Sequence, residues 1–337
     1  MKYKRAHVVI VVAAATALAA PAFAEQAQYQ KYQPPRTADG KPSLQGNWTN
    51  ASITSLQRPP RYKKLTIDPA EVEHETNTNP QVVRQRTDDE LSGDTKLNGS
   101  DLKGGRGYNA FWIDPGMTFG YVKGEYRTSW IVYPLDGQIP YREDARASRA
   151  EAGSNYDGPE ARPLGERCII NSNSAGPPML NYLYNNNYEI VQTPDHVSIL
   201  AEMNNYARDV RIGGKHLHPN IRPLHGDSIG RWEGDTLVVE TTNFHPLHAN
   251  GMVGLTVHAK VTERFTRVSE QQILYEFTVD DAAKYKEPWR GEMSFNATKD
   301  HIYEYACHEG NYALPGVLAG AREQEKSLSP GTQSTPR

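Results

Sequence analysis

The sequence predicts an all-β fold, an antiparallel meander closing into a barrel, with long loops and one short helix. Three observations carry this. From residue 108 onward, short runs dense in β-branched and aromatic residues recur between turn signals. Several links between runs are only a few residues long, as hairpins require: Thr193-Pro194-Asp195-His196, Gly213-Gly214-Lys215, Glu233-Gly234-Asp235 and Ser269-Glu270-Gln271. A meander of about eight such strands removes its exposed edges by closing on itself.

The chain begins with a secretory leader. Lys2, Lys4 and Arg5 form a basic start, residues 8–20 are apolar and uncharged, and Ala22-Phe23-Ala24 is a small-x-small cleavage site before Glu25. The apolar run falls short of the ~20 residues of a membrane-spanning helix, and Pro21 interrupts it. Residues 1–24 are therefore expected to be removed, which places the mature chain in the periplasm or outside the cell with no membrane anchor. Residues 25–43, rich in Gln, Tyr and Pro, read as an extended lead-in. The barrel domain is assigned to residues 44–320.

Within it, Leu44-Gln45-Gly46-Asn47-Trp48 is the first core strand. Residues 68–76, opening on Asp68-Pro69, start a helix. Residues 77–107, charged and rich in Asn and Gly, read as a long surface insertion, a loop or a lid. Strands are then expected at 126–133, 188–191, 197–203, 208–212, 236–242, 261–268, 273–279, 290–295 and 302–305. From residue 315 no apolar periodicity appears, and residues 321–337 are expected to be a disordered tail.

Charge and cysteine content exclude several classes of function. With 37 Lys+Arg against 40 Asp+Glu the formal charge is −3, and losing Lys2, Lys4 and Arg5 with the leader carries it to −6. Nucleic-acid binding by phosphate neutralisation needs the opposite sign, so no nucleic-acid partner is expected. Two cysteines, Cys168 and Cys307, cannot build a four-Cys zinc site. In an oxidising compartment they most simply pair with each other. The alternative is a catalytic thiol at Cys307 beside His308 and Glu309, both secondary site candidates.

Histidines at 216, 218, 225, 245, 248 and 258 invite a metal reading, and His216-x-His218 is a known zinc or copper device. Pro219 breaks that strand, and no carboxylate stands at a metal-ligand spacing, so no metal site is assigned. No Gly-x-Ser-x-Gly or nucleotide-binding glycine loop occurs, and no cofactor is expected. Gly226-Asp227-Ser228-Ile229-Gly230 reads as a turn leading into an Arg231-Trp232 strand.

The strand from Val197 carries the site expectation. If alternation continues, Val197, Ile199, Ala201 and Met203 share one face, and Glu202, Asn204, Tyr206 and Arg208 share the other. Facing inward, the polar set places a carboxylate, a phenol and a guanidinium in one small volume. The candidate catalytic residues are Glu202, Tyr206, Arg208, His216 and Asp227. His216 or Glu202 removes a proton, Tyr206 donates one, and Arg208 holds an anionic group. On this reading Arg208→Ala abolishes activity while leaving the fold intact.

Glu166-Arg167-Cys168-Ile169, Gly176-Pro177-Pro178-Met179, the run from Gly226 to Phe244 and the run from Tyr303 to Tyr312 together resemble a large group of secreted bacterial β-rich proteins. The resemblance covers residues 44–322. It implies a paired Cys168 and Cys307 on a shared β-rich scaffold, and it transfers no catalytic residue. His225 before Gly226, and His218 where the group often has Pro, depart from its pattern and weaken the metal reading. Gly46-x-Trp48 separately resembles the opening of lipocalin-like barrels. The function expected is an exported, metal-independent acid/base lyase or isomerase acting on a small aromatic or oxygenated compound. The alternatives are a lipocalin-like small-molecule binding protein without turnover and, third, a hydrolase using a His-bound metal.

Overall fold

In a computed structural model of the chain, residues 32–91, 115–145, 155–170, 174–250, 253–309 and 311–328 are described. The expected leader, the lead-in up to residue 31, the whole 92–107 part of the insertion and the tail from residue 329 lie outside them.

Thirteen strands are present among the described residues. Nine of them close a barrel: β1 (Gly46–Thr49), β6 (Asn187–Gln192), β7 (His196–Ala201), β8 (Tyr206–Ile212), β9 (Asp227–Glu233), β10 (Thr236–Thr242), β11 (Lys260–Arg267), β12 (Gln272–Asp280) and β13 (Trp289–Ala297). Closure rests on the short β1. Its Trp48 lies opposite Tyr188 of β6 on one side and Ala297 of β13 on the other. β13 is long enough to fork, pairing at its other end with β5 (Ile131–Tyr133). A separate three-stranded sheet is formed by β2 (Thr66–Ile67), β4 (Glu125–Arg127) and β3 (Tyr121–Val122). Its small core is Ile53, Ile67, Val82 and Phe119.

The expected all-β barrel is therefore present, with one departure from a pure meander. β8 and β9 are neighbours but run parallel, joined by the long stretch 213–226, so the barrel is mixed. Asp227-Ser228 is consequently not a turn. β9 starts at Asp227, and Ser228 packs inward with its hydroxyl 2.8 Å from that of Thr241 on β10. The turn reading failed because Gly and Asp-Ser outweighed the β-branched partner strand, whose in-register pairing decides the matter.

Other boundaries also shift. Residues 126–133 split into β4 and β5, which belong to different sheets. Residues 302–305 do not pair as a strand. The helix expected at 68–76 is α1 (Val72–Asn77), preceded by a turn in which Asp68 accepts from the Ala70 N–H. The insertion begins with a second helix, α2 (Pro80–Leu91). Asn79 starts it by accepting from the Gln81 N–H, Pro80 stands first inside it, and fully buried Val82 anchors it. The C-terminal region is helical too, as α3 (Ala313–Leu328). Its half-buried stripe of Leu314, Leu318 and Ala321 straddles the boundary at residue 315, and so escapes a reading that starts there.

The barrel interior is filled rather than hollow through its middle. Tyr188, Phe265, Tyr275, Phe277, Phe295 and Trp289 are buried, and they meet in a chain of ring contacts with centroids 5.0–5.6 Å apart. Gly291 lies opposite Phe277 on β13, where a Cβ would stand 2.2 Å from the end of that ring. A side chain there would displace the ring that closes this layer.

Candidate functional site

The polarity pattern around residue 202 is set by a break, not by an unbroken strand. β7 ends at Ala201, and a 3-10 turn, Met203–Asn205, follows with Asn204 and Asn205 in left-handed conformations at φ 63° and 48°. Asn tolerates that region better than most residues. β8 then returns with Ile199 opposite Arg208 and Val197 opposite Val210. Directly opposed residues share a face. Arg208 therefore projects to the same interior as Val197 and Ile199, whereas simple alternation put it on the opposite side.

Inside the barrel Arg208 meets Glu263. Nη1 donates to Oε2 at 2.7 Å and Nη2 to Oε1 at 3.1 Å. The Tyr275 hydroxyl donates to Glu263 Oε1 at 2.7 Å and accepts from the Met179 N–H at 2.9 Å. All three side chains are buried, Glu263 completely. Burial alone would depress the guanidinium pKa, but the adjacent carboxylate outweighs it and raises it. Burial and the same carboxylate push the Tyr275 phenol well up.

This trio braces the packed interior. Residues 174–180 are buried throughout and form a plug that lies against Arg208 through Gly176 and Met179. Gly176, at φ +121°, lies so close that a Cβ would be 3.1 Å from Arg208 Nη1. The plug is tied down at Ser174 by the Tyr188 hydroxyl (2.6 Å) and at Gly176 by His225 Nδ1–H, which donates to the carbonyl at 3.0 Å. Arg208 is thus a structural centre, and the expectation that its removal spares the fold is corrected.

Tyr206 packs against His225 with ring centroids 4.1 Å apart and planes tilted by 55°, and His225 meets His248 edge-on at 5.7 Å. With Nδ1 donating, His225 Nε2 is left as an acceptor without a partner, and His248 Nδ1 is likewise unpartnered. Burial is the main reason that His225 is pulled down to about 3 and His248 to about 4. Burial also raises the Tyr206 phenol. The histidine shifts predict acid lability. In the unfolded chain both imidazoles titrate near ~6.5, so below that pH the unfolded state binds more protons than the folded state. Stability should be flat above about pH 6.5 and fall steadily toward pH 3, losing on the order of several kcal/mol. Denaturant unfolding from pH 8 to pH 4 measures this, and His225→Phe should flatten the curve.

His216 and Asp227 are elsewhere. Arg208 and Arg211 lie three positions apart on β8, so their side chains leave opposite faces of the barrel wall. Arg211 grips Asp227 from the outside with two contacts of 2.8 and 3.1 Å. Asp227 Oδ2 also accepts from the Leu217 N–H and lies 2.8 Å from His216 Nδ1. Burial works against ionisation of Asp227, but Arg211, the Leu217 N–H and His216 together hold its carboxyl below the usual range. His216 Nε2 lies 3.3 Å from Glu240 Oε1, and Lys260 reaches the other Glu240 oxygen at 3.8 Å. The buried carboxylate orients the imidazole through Nδ1, and Nε2, at the half-buried edge, faces Glu240. An imidazole held between two carboxylates is placed to hold and pass a proton.

Glu202 belongs to neither group. Its buried carboxylate accepts from Asn187 Nδ2 at 2.9 Å and from the Tyr303 N–H at 3.3 Å, clamping the segment that leads to Cys307. Cys168 and Cys307 are bonded, with Cα atoms 5.7 Å apart, so Cys307 is not a nucleophile. His308 is exposed, and Glu309 lines a cleft beside the disulfide. Among the described residues no three His, Cys, Asp or Glu side chains gather as a metal set. His218 Nδ1 accepts from the Asn220 N–H. No helix among them is long and apolar enough to cross a membrane.

Sequence reasoning missed Glu263, Tyr275, Arg211 and Glu240. Only Glu263 left a signal, as a carboxylate in phase with the core residues Val261 and Phe265. No known protein family, curated protein or solved structure matches the chain.

Proposed function

We propose that the protein is an exported enzyme that performs metal-independent acid/base chemistry, an elimination or an isomerisation, on a small aromatic or oxygenated compound, with His216 as the proton-transferring group. The observation that carries this reading is the Asp227–His216 pair. A carboxylate held in place by Arg211 and a backbone N–H orients the imidazole, and the outward nitrogen faces a second carboxylate, Glu240. Proton removal at one carbon and return at the next needs such paired groups. Arg208 has no part in this scheme because its fork is taken by Glu263. The disulfide and the leader motif support export. The resemblance to the secreted bacterial β-rich group points to the same placement.

Incubating the mature protein with aromatic and sugar-acid metabolites, followed by mass spectrometry of products, tests the reading. His216→Gln should slow turnover by about 10²–10⁴-fold and leave the thermal melt close to the parent's. Equal turnover in the variant would remove His216 from the mechanism. The second reading, small-molecule binding without turnover, draws on the cleft beside the disulfide, and a ligand that co-purifies and is returned unchanged would favour it.

A further inference from the structure

A cleft of about 1210 Å³ opens beside the disulfide, outside the barrel and away from the Asp227–His216 pair. Its walls come from three places: the loop at Gly165-Glu166, the turn at Tyr184-Asn185, and the segment from Glu304 into the start of α3. Tyr184 and Tyr305 present nearly parallel rings, 17° apart in plane with centroids at 6.5 Å. Glu304 and Glu309 add exposed carboxylates, and no lysine, arginine or histidine is among the lining residues. Neither carboxylate forms an ion pair among the described residues, whereas Glu166 is engaged by Arg162 at 2.9 Å. Leu314 and Val317 supply an apolar strip along the helix side.

These walls are set before any ligand arrives. Tyr305 is pinned on both backbone groups by Asn205, the segment before it by Glu202, and the segment after it by the disulfide. A fixed wall binds at lower entropic cost than one that must be ordered.

We propose that this cleft binds a linear organic polyamine. Tyrosine faces and unneutralised carboxylates both attract ammonium groups, and the apolar strip suits the methylene stems between them. The volume exceeds the ~300–1,000 Å³ of compact ligand sites, which fits an elongated guest. A neutral polyol would leave the carboxylate charge unanswered, and an anion would be repelled.

Spermidine is the probe, titrated calorimetrically into the disulfide-intact protein at low salt. One-to-one saturable binding is expected, weakening when salt is raised because the carboxylates are exposed. The double variant Glu304→Gln/Glu309→Gln should bind roughly tenfold more weakly or worse. Glu233→Gln, an exposed carboxylate paired with arginines on another part of the barrel, should bind like the parent. The proposal is overturned by the absence of saturable binding, by unchanged affinity in the double variant, by an equal loss in Glu233→Gln, or by triethylene glycol binding as well as spermidine.

Discussion

Arg208→Ala should cost the fold about 3–5 kcal/mol, a large share of the ~5–15 kcal/mol that holds a domain of ordinary stability together. The substitution strands Glu263, which is fully buried and otherwise accepts only the Tyr275 hydroxyl. It also withdraws the group packed against Gly176 and Met179, so the plug at residues 174–180 loses its floor. Denaturant unfolding and a near-ultraviolet spectrum measure the effect. A variant as stable as the parent would mean that the guanidinium is solvated, contrary to its position.

Breaking the disulfide is the second large effect. Cys168 and Cys307 are 139 positions apart, and closing a loop of that size restricts the unfolded chain by about 5 kcal/mol in the loop-entropy account. Measured losses for native bridges run to about 2–5 kcal/mol, and Cys168→Ser/Cys307→Ser should fall in that range. The first structural consequence should appear near the break. Residues 303–309 would lose their covalent tie and be held by non-covalent contacts such as the Glu202 and Asn205 clamps, so hydrogen exchange there and in α3 should rise before exchange in β10–β12. A loss under about 1 kcal/mol, or uniform exchange, would contradict this.

The strands were legible because runs of β-branched and aromatic residues recur between short turn signals. β10 was read to the residue, and β6, β11, β12 and β13 to within two residues at each end. The closure through Trp48 and the Cys168–Cys307 bridge were legible for a different reason, since few alternatives satisfy a closed sheet or two cysteines. The candidate site was much less so. One left-handed pair, Asn204-Asn205, shifts the phase between β7 and β8, and a one-position shift moves every following side chain to the other face. That single turn took Arg208 into the core, while His216 and Asp227 collected outside around Arg211. The parallel pairing of β8 with β9 could not be read either, because it depends on where the stretch 213–226 crosses, not on its composition.

The most direct test of this division is a double-mutant cycle on Arg208 and Glu263, with Arg208→Met, Glu263→Met and the double variant compared by denaturant unfolding. If the pair lies buried as described, each single variant loses about 3–5 kcal/mol by leaving an uncompensated charge. The double variant then recovers most of that loss, because two apolar chains of similar length fill the same space. If the two losses simply add, or if each single variant costs less than about 0.5 kcal/mol, Arg208 and Glu263 are not paired in the barrel interior and the assignment of Arg208 to the core is wrong.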